Sequence, residues 1–237
     1  MALSEADAQK RAAALHAVKL VEDGMTLGLG TGSTAAWFVT LLGERVQDGL
    51  RVRGVPTSEA TAELARKCGI EVIGLDDVGF EAGGRIDLCI DGVDEVDSFR
   101  RAIKGGGGAL LREKIVARGS DRVVYIADAS KQVQTLGAFP LPVEVIPFAT
   151  AFVHSRIAAL GCAPVLRRNG DGSEFRSDES NIILDCPFGR VSGNDRHGRL
   201  GRGCRHTLAE FIKIGGRFVK HLRSVIVHRG TIFRQKN

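Results

Sequence analysis

The chain has 237 residues, 43% hydrophobic and 26% charged, an ordinary globular make-up with room for one large core or a larger domain beside a smaller one. Its formal charge of +5 is uneven: residues 190–237 hold twelve Lys/Arg and two Asp/Glu, leaving 21 basic and 26 acidic side chains in a mildly acidic body. A nucleic-acid function would therefore rest on the basic end alone, where few aromatics are present for base stacking, and none is expected.

No apolar stretch approaches the length of a bilayer span, so no membrane association is expected. The N-terminal segment lacks the unbroken apolar core of an export signal. The five cysteines are widely spaced and form no CxxC pair, which predicts buried thiols in a reducing cytoplasm. Thirty glycines against six prolines, gathered in clusters, suggest backbone brought close to a ligand.

In chain order, Ser4 and Asp7 form a capping pattern for a first helix whose apolar face is Ala13, Leu15, Val18, Leu20 and Val21. A strand is predicted over 25–29, a glycine turn over 28–34 and a helix over 35–42. Further strands are predicted over 51–55, 71–75, 86–90 and 122–127, with helices from the Thr57–Ser58 cap through Lys67 and over 110–118. This alternation implies a mostly parallel sheet covered on both faces. The proline-rich segment 139–147 reads as a crossing between domains. A helix over 149–160 and extended pieces at 164–168 and 181–186 then predict a small α+β unit, and 224–227 a final strand.

The turn Gly28-Leu-Gly-Thr-Gly-Ser-Thr34 has Ser33 where the dinucleotide fingerprint needs glycine, and no Lys-Ser/Thr pair closes it as a Walker A loop. It remains either a site for a phosphate monoester or sugar hydroxyls at a helix N-terminus, or a tight turn with a Ser/Thr cap. Asp91-Gly92-Val93-Asp94-Glu95-Val96-Asp97 places four carboxylates behind an apolar strand. They could gather a divalent cation, accept hydrogen bonds from a sugar and move protons, or form a solvated loop. Four consecutive glycines after Lys104 suit a backbone wrapped around a small ligand, with Lys104 fixing a phosphate or a developing oxyanion. Glu113 lies among Ala109, Leu110, Leu111, Ile115 and Val116; burial there would raise its pKa into the range of a general base, whereas an exposed helix would leave it an ordinary carboxylate. Lys131, in Asp128-Ala-Ser-Lys, adds a cation at another strand end.

Taken together, TGSTA (31–35), DGVDEVD (91–97), KGGGGALLREKIVA (104–117), DASKQV (128–133) and FPLPVEVIPFA (139–149) resemble ribose-5-phosphate isomerase of type A, in that family's order and spacing. The resemblance implies a Rossmann-like α/β catalytic domain over 1–136 and 216–237 with a lid-like α+β domain over 137–215. It implies reversible interconversion of ribose 5-phosphate and ribulose 5-phosphate through an enediolate, in the non-oxidative pentose phosphate pathway. No metal or cofactor, a cytoplasmic location and a homodimer or homotetramer go with it. By the same resemblance Glu113 is the base moving a proton between C1 and C2, and Asp91 and Asp94 line the sugar and assist ring opening or hydroxyl proton transfer. Lys104 and the amides of Gly105, Gly106 and Gly107 hold the developing charge. Thr31, Gly32, Ser33, Thr34, Gly92, Val93 and Lys131 complete substrate binding. A non-catalytic sugar-phosphate-sensing domain of the same fold class is the alternative, and it would have no need of a base at Glu113.

One departure within the motifs is mild: Val93 stands where the family usually has alanine. The basic end departs further, since 192–206 replaces a turn and helix of the family. It reads as a divergent folded end, a surface for a partner, or the product of a reading-frame change. His197, Cys204 and His206 lack a fourth ligand, so an uncoordinated basic loop is expected there rather than zinc.

Overall fold

The computed structural model describes residues 3–190, 224–227 and 231–234. The backbone divides into two compact units, one of Met1–Asp94, Lys104–Gln132 and Arg223–Asn237, the other of Glu95–Ile103 and Val133–Leu222.

The first unit opens with α1 (Glu5–Val18), capped by Ser4, whose Oγ accepts from the Asp7 N–H. Its buried residues are Ala13, Ala14, Ala17 and Val18, while Leu15 is exposed, so the packed stripe lies one step round from the expected one. Small residues let α1 lie close to its neighbours, and the larger Leu15 is left outside. There follow β1 (Thr26–Leu29), α2 (Ser33–Gln47), β2 (Arg53–Pro56), α3 (Glu59–Lys67), β3 (Glu71–Val72) and β4 (Ile86–Gly92). The expected strand over 71–75 is cut to two residues, because the chain turns into a 3-10 turn at Asp76–Val78.

The chain next makes the short strands β5 (Glu95–Val96) and β6 (Ala102–Ile103) of the second unit. It returns to the first unit with α4 (Leu110–Arg118) and β7 (Ser120–Ala127). After the second unit's β8 (Leu141–Val145), α5 (Thr150–Ala158), β9 (Val165–Leu166) and β10 (Ile182–Cys186), it comes back as β11 (Ser224–Val227) and β12 (Thr231–Arg234).

The first unit's sheet runs β12-β11-β7-β4-β1-β2-β3, parallel throughout except for the antiparallel edge strand β12. This is the Rossmann-like α/β fold. The chain builds outward from β1 to β3, then starts again on the other side of β1 with β4. The carboxyl ends of β1 and β4 therefore flank the point where the winding reverses, the place such sheets offer a ligand. Leu27, Leu29, Leu88, Ile90, Val124 and Ile126 form the sheet's share of the core, against Ala13, Ala17, Phe38, Val39 and Leu42 of the helices.

In the second unit β8, β10 and β9 form an antiparallel sheet, β5 pairs with β6, and α5 packs Val153 and Ile157 beside Ile182 and Leu184. Segment 139–147 is thus not a crossing between domains. Its middle, Leu141–Val145, pairs with β10 as strand β8, with Pro142 opposite Asp185, and the change of unit comes earlier, between Gln132 and Val133.

Candidate active site

The site grows from the ends of β1 and β4. Gly30 follows β1, and its N–H donates to the Ile90 carbonyl, which draws the two strand ends together. A Cβ on Gly30 would sit 2.5 Å from Asp91 Cα, so only glycine lets Asp91 lie against this turn. Asp91 itself is 1% exposed. Its Oδ1 accepts from the Thr31 N–H at 3.2 Å and the Gly92 N–H at 2.7 Å. Its Oδ2 lies 2.9 Å from Lys104 Nζ.

Lys104 joins the parts. Its Nζ donates to the Gly92 carbonyl at 2.6 Å and stands 3.2 Å from Glu113 Oε2, so one ammonium bridges two carboxylates. The Tyr125 ring, on the strand next to Asp91, lies under it with its centroid 5.4 Å from Nζ. The side chain as a whole keeps 20% of its surface exposed.

Glu113 is 4% exposed. Only part of the apolar surround read in the sequence takes part. Of its apolar neighbours Ala109 and Val116 are buried with it, whereas Ile115 points outward and Leu110 and Leu111 are only half-buried. The inward residues of α4 are Glu113 and Val116, one turn apart, and Val116 packs at Gly28 and Cys89. Burial, with the Asp91 charge adding to it against the pull of Lys104, pushes the Glu113 carboxyl up to about 7. Burial also raises Asp91, opposed by Lys104 and by the two backbone N–H donors. Burial alone would lower Lys104, but Asp91 and Glu113 outweigh it and hold the ammonium above its ordinary value.

The seven-residue acidic run divides by task. Asp94, half-buried, accepts from the Gly106 N–H at 2.8 Å and so fixes the glycine loop. Glu95 and Asp97 turn away into the second unit: Glu95 accepts from the Gly137 and Phe139 N–H groups, and Asp97 pairs with Arg101. Four acids in sequence thus become two at the site and two that hold backbone. Gathering a divalent cation does not suit this donor set, since Asp91 is already taken up by two amides and an ammonium, and among the described residues no His/Cys/Asp/Glu group could hold a metal. In the glycine loop, Gly105 has φ +106°, a backbone that side chains disfavour, and Gly107 is exposed.

Around the β1 turn, Gly32 is the N-cap of α2 and provides no side-chain cap, Ser33 is exposed and Thr34 buried. Thr31 is different. Its hydroxyl meets Thr57 Oγ1 at 2.7 Å, Ser58 Oγ at 2.9 Å and Thr61 Oγ1 at 3.2 Å, a cluster that the sequence reading missed; its only trace there is the density of Ser and Thr over 57–61. Val93 is buried beside the acids. Lys131 ends a 3-10 turn after β7 that Asp128 caps, and it is half-buried. Tyr125, the one tyrosine in the chain, was also not singled out, and nothing in its local sequence marks it. His197, Cys204 and His206 lie outside the described residues.

A doubly wound sheet with a buried carboxylate, a bridging lysine and a glycine loop at its switch point is an α/β arrangement suited to a small ligand and to proton transfer by side chains. The sequence model of ribose 5-phosphate isomerase A (phosphoriboisomerase A) matches residues 53–201. The chain is 54% identical over 196 residues to the ribose-5-phosphate isomerase A of Parvibaculum lavamentivorans, covering 80% of this chain and 83% of that protein. Against the one from Ruegeria it is 54% identical over 202 residues, 82% of this chain and 74% of that protein. The solved ribose 5-phosphate isomerase A of Methanocaldococcus jannaschii superposes with a TM-score of 0.82 at 33% identity, covering 97% of this chain and 99% of that one. A D-ribose-5-phosphate isomerase solved in complex with phospho-erythronic acid gives a TM-score of 0.83 at 31% identity, covering 98% and 100%. The chain belongs to the ribose 5-phosphate isomerase A family.

Proposed function

We infer that this protein interconverts D-ribose 5-phosphate and D-ribulose 5-phosphate through an enediolate. The observation that carries this reading is the Asp91–Lys104–Glu113 arrangement: a buried carboxylate poised near neutrality, 3.2 Å from an ammonium. In the open-chain aldose, Glu113 takes the proton from C2 and the electrons of that bond flow into the carbonyl at C1. Negative charge grows on O1, and Lys104 with the Gly105–Gly107 loop faces it. Glu113 then returns its proton to C1, while the O2 proton leaves through Asp91 or Asp94 and O1 gains one, giving the ketose. A group near pH 7 serves both halves, as base and then as acid. A resident metal or cofactor has no step in this scheme, because the Lys104 ammonium supplies the positive charge.

Ser33, Thr34 and the open N-terminus of α2, with Gly32 as its cap, are the proposed phosphate site together with Lys131. Thr31, Gly92 and Val93 border the sugar. The relative bound to phospho-erythronic acid, a phosphorylated acid of sugar-like length, supports a sugar-phosphate ligand here. A place in the non-oxidative pentose phosphate pathway, a cytoplasmic location and assembly as a homodimer or homotetramer belong to the same proposal. The four described cysteines, all free thiols, accord with a reducing compartment.

The purified protein incubated with ribose 5-phosphate in deuterium oxide should place deuterium on the sugar carbon. Tight binding without exchange would instead indicate a sensor. Light scattering of the same sample measures the assembly.

A further inference from the structure

Thr31 borders the proposed sugar site, yet its hydroxyl is not turned towards a ligand. It is engaged by three other hydroxyls, of which Thr57 is 0% exposed, Ser58 5% and Thr61 7%. That cluster holds the β1 turn from behind. Thr57 Oγ1 donates to the Leu29 carbonyl at 3.1 Å, and Thr61 Oγ1 donates to the Gly30 carbonyl at 3.1 Å. Ser58 Oγ donates to Thr61 Oγ1 at 3.0 Å while accepting from the Thr61 N–H. Leu29, Gly30 and Thr31 are thus each gripped by a side chain from the turn into α3 or its first helical turn. On the other side of the same three residues lies Asp91, against Gly30 and accepting from the Thr31 N–H.

We propose that Thr57, Ser58 and Thr61 are positioning residues for the isomerisation, which seat the Thr31 hydroxyl and thereby hold the Thr31 N–H on Asp91. The line of contact runs from the hydroxyls of Thr57, Ser58 and Thr61 to Thr31, to Asp91, to Lys104 and to Glu113. Hydroxyls suit this task better than apolar side chains because two backbone carbonyls and one hydroxyl must be satisfied in a buried place. Chains of such bonds also polarise and stiffen one another. None of these three side chains needs to touch the substrate. The proposal rests on the isomerase reading above.

Thr57→Val is the test, because it keeps the shape, and the Leu29 carbonyl retains the Thr57 N–H as donor at 2.9 Å. Its kcat should fall about 10- to 100-fold, the effect of a slight misplacement of catalytic groups, with KM changed less than about threefold. Thr57→Ser, which restores the hydroxyl, should recover most of the rate. Val39→Ala, a core lesion in α2 that removes none of these hydrogen bonds, serves as a control of reduced thermal stability and should keep its kcat. Should Thr57→Val fail to fold, Thr61→Val against Thr61→Ser reads the same contact from the next hydroxyl. Equal rates for the valine and serine variants, or a rise in KM alone, would overturn the proposal. Loss of exchange in the unaltered protein would instead strike the isomerase reading itself.

Discussion

Replacing Glu113 by glutamine keeps the size of the side chain and removes its charge, so it separates chemistry from packing. The carboxyl stands at about 7 rather than 4.5. At about 1.4 kcal/mol for each pH unit, that displacement burdens the folded state by about 3 kcal/mol once Glu113 is ionised. The sign follows from proton counts. Between pH 4.5 and about 7 the folded state holds this proton and the unfolded state does not, so this group's contribution to stability falls as pH rises through that window. Glu113→Gln should therefore stabilise the fold at pH 8 by about 1–3 kcal/mol, less than the full burden because Lys104 loses one of its two partners. It should also flatten the pH dependence of stability in that window. Its kcat should fall at least about 10²- to 10⁴-fold, the range for losing a general base. In the unaltered enzyme kcat/KM should rise about tenfold per pH unit below about 7 and then level off. Urea unfolding at several pH values and the initial rate of ketose formation read both quantities. A variant that keeps its rate would remove Glu113 from the chemistry. A variant that loses stability at pH 8 would show that Glu113 is a structural partner of Lys104 and that burial does not strain it.

Lys104→Met leaves Asp91 and Glu113 without their shared cation, and should cost about 3 kcal/mol or more in urea unfolding as well as most of the activity; a stable, active variant would deny the bridge its part. Gly30→Ala puts a methyl 2.5 Å from Asp91 Cα and should lower kcat about 100-fold, as steady-state kinetics would detect, whereas a rate within twofold of the original would mean that Asp91 need not lie against this turn. Gly105→Ala forces a side chain onto a backbone at φ +106° and should lower stability by about 1–2 kcal/mol in thermal unfolding, together with a loss of rate as the loop shifts.

The strand–turn–helix rhythm of the first unit was legible because its signals are local: the Ser4 and Ser58 caps, the apolar runs of β1 and β4, and the glycines between them. Leu15 shows where local reading stops. An apolar residue at helical spacing faces the core only if the neighbouring elements leave room for it, and α1 packs through its alanines instead. Segment 139–147 misled for a related reason: its prolines suggested a boundary, yet strand β8 accommodates Pro142 opposite Asp185. Glu95 and Asp97 could not be told from Asp91 and Asp94 by composition, since all four are carboxylates within one short run. Their tasks separated only when the chain left the first unit after Asp94.

By itself the sequence determined the alternating parallel architecture, the family and the company of Asp91, Asp94, Lys104 and Glu113. Those rest on residue type and order, which a chain carries before it folds. Tertiary structure decided which of these groups meet and in what state. Asp91 and Thr31 are 60 residues apart and touch because β1 and β4 pair in parallel register at the reversal of the sheet. Glu113 is buried on the face that α4 turns inward with Val116, while its neighbours Leu110, Leu111 and Ile115 lie partly or wholly outside, and that burial raises its proton affinity. The Thr57–Ser58–Thr61 cluster has no periodic signature at all. Hydroxyls gain directed function only when folding removes water and leaves them one another as partners.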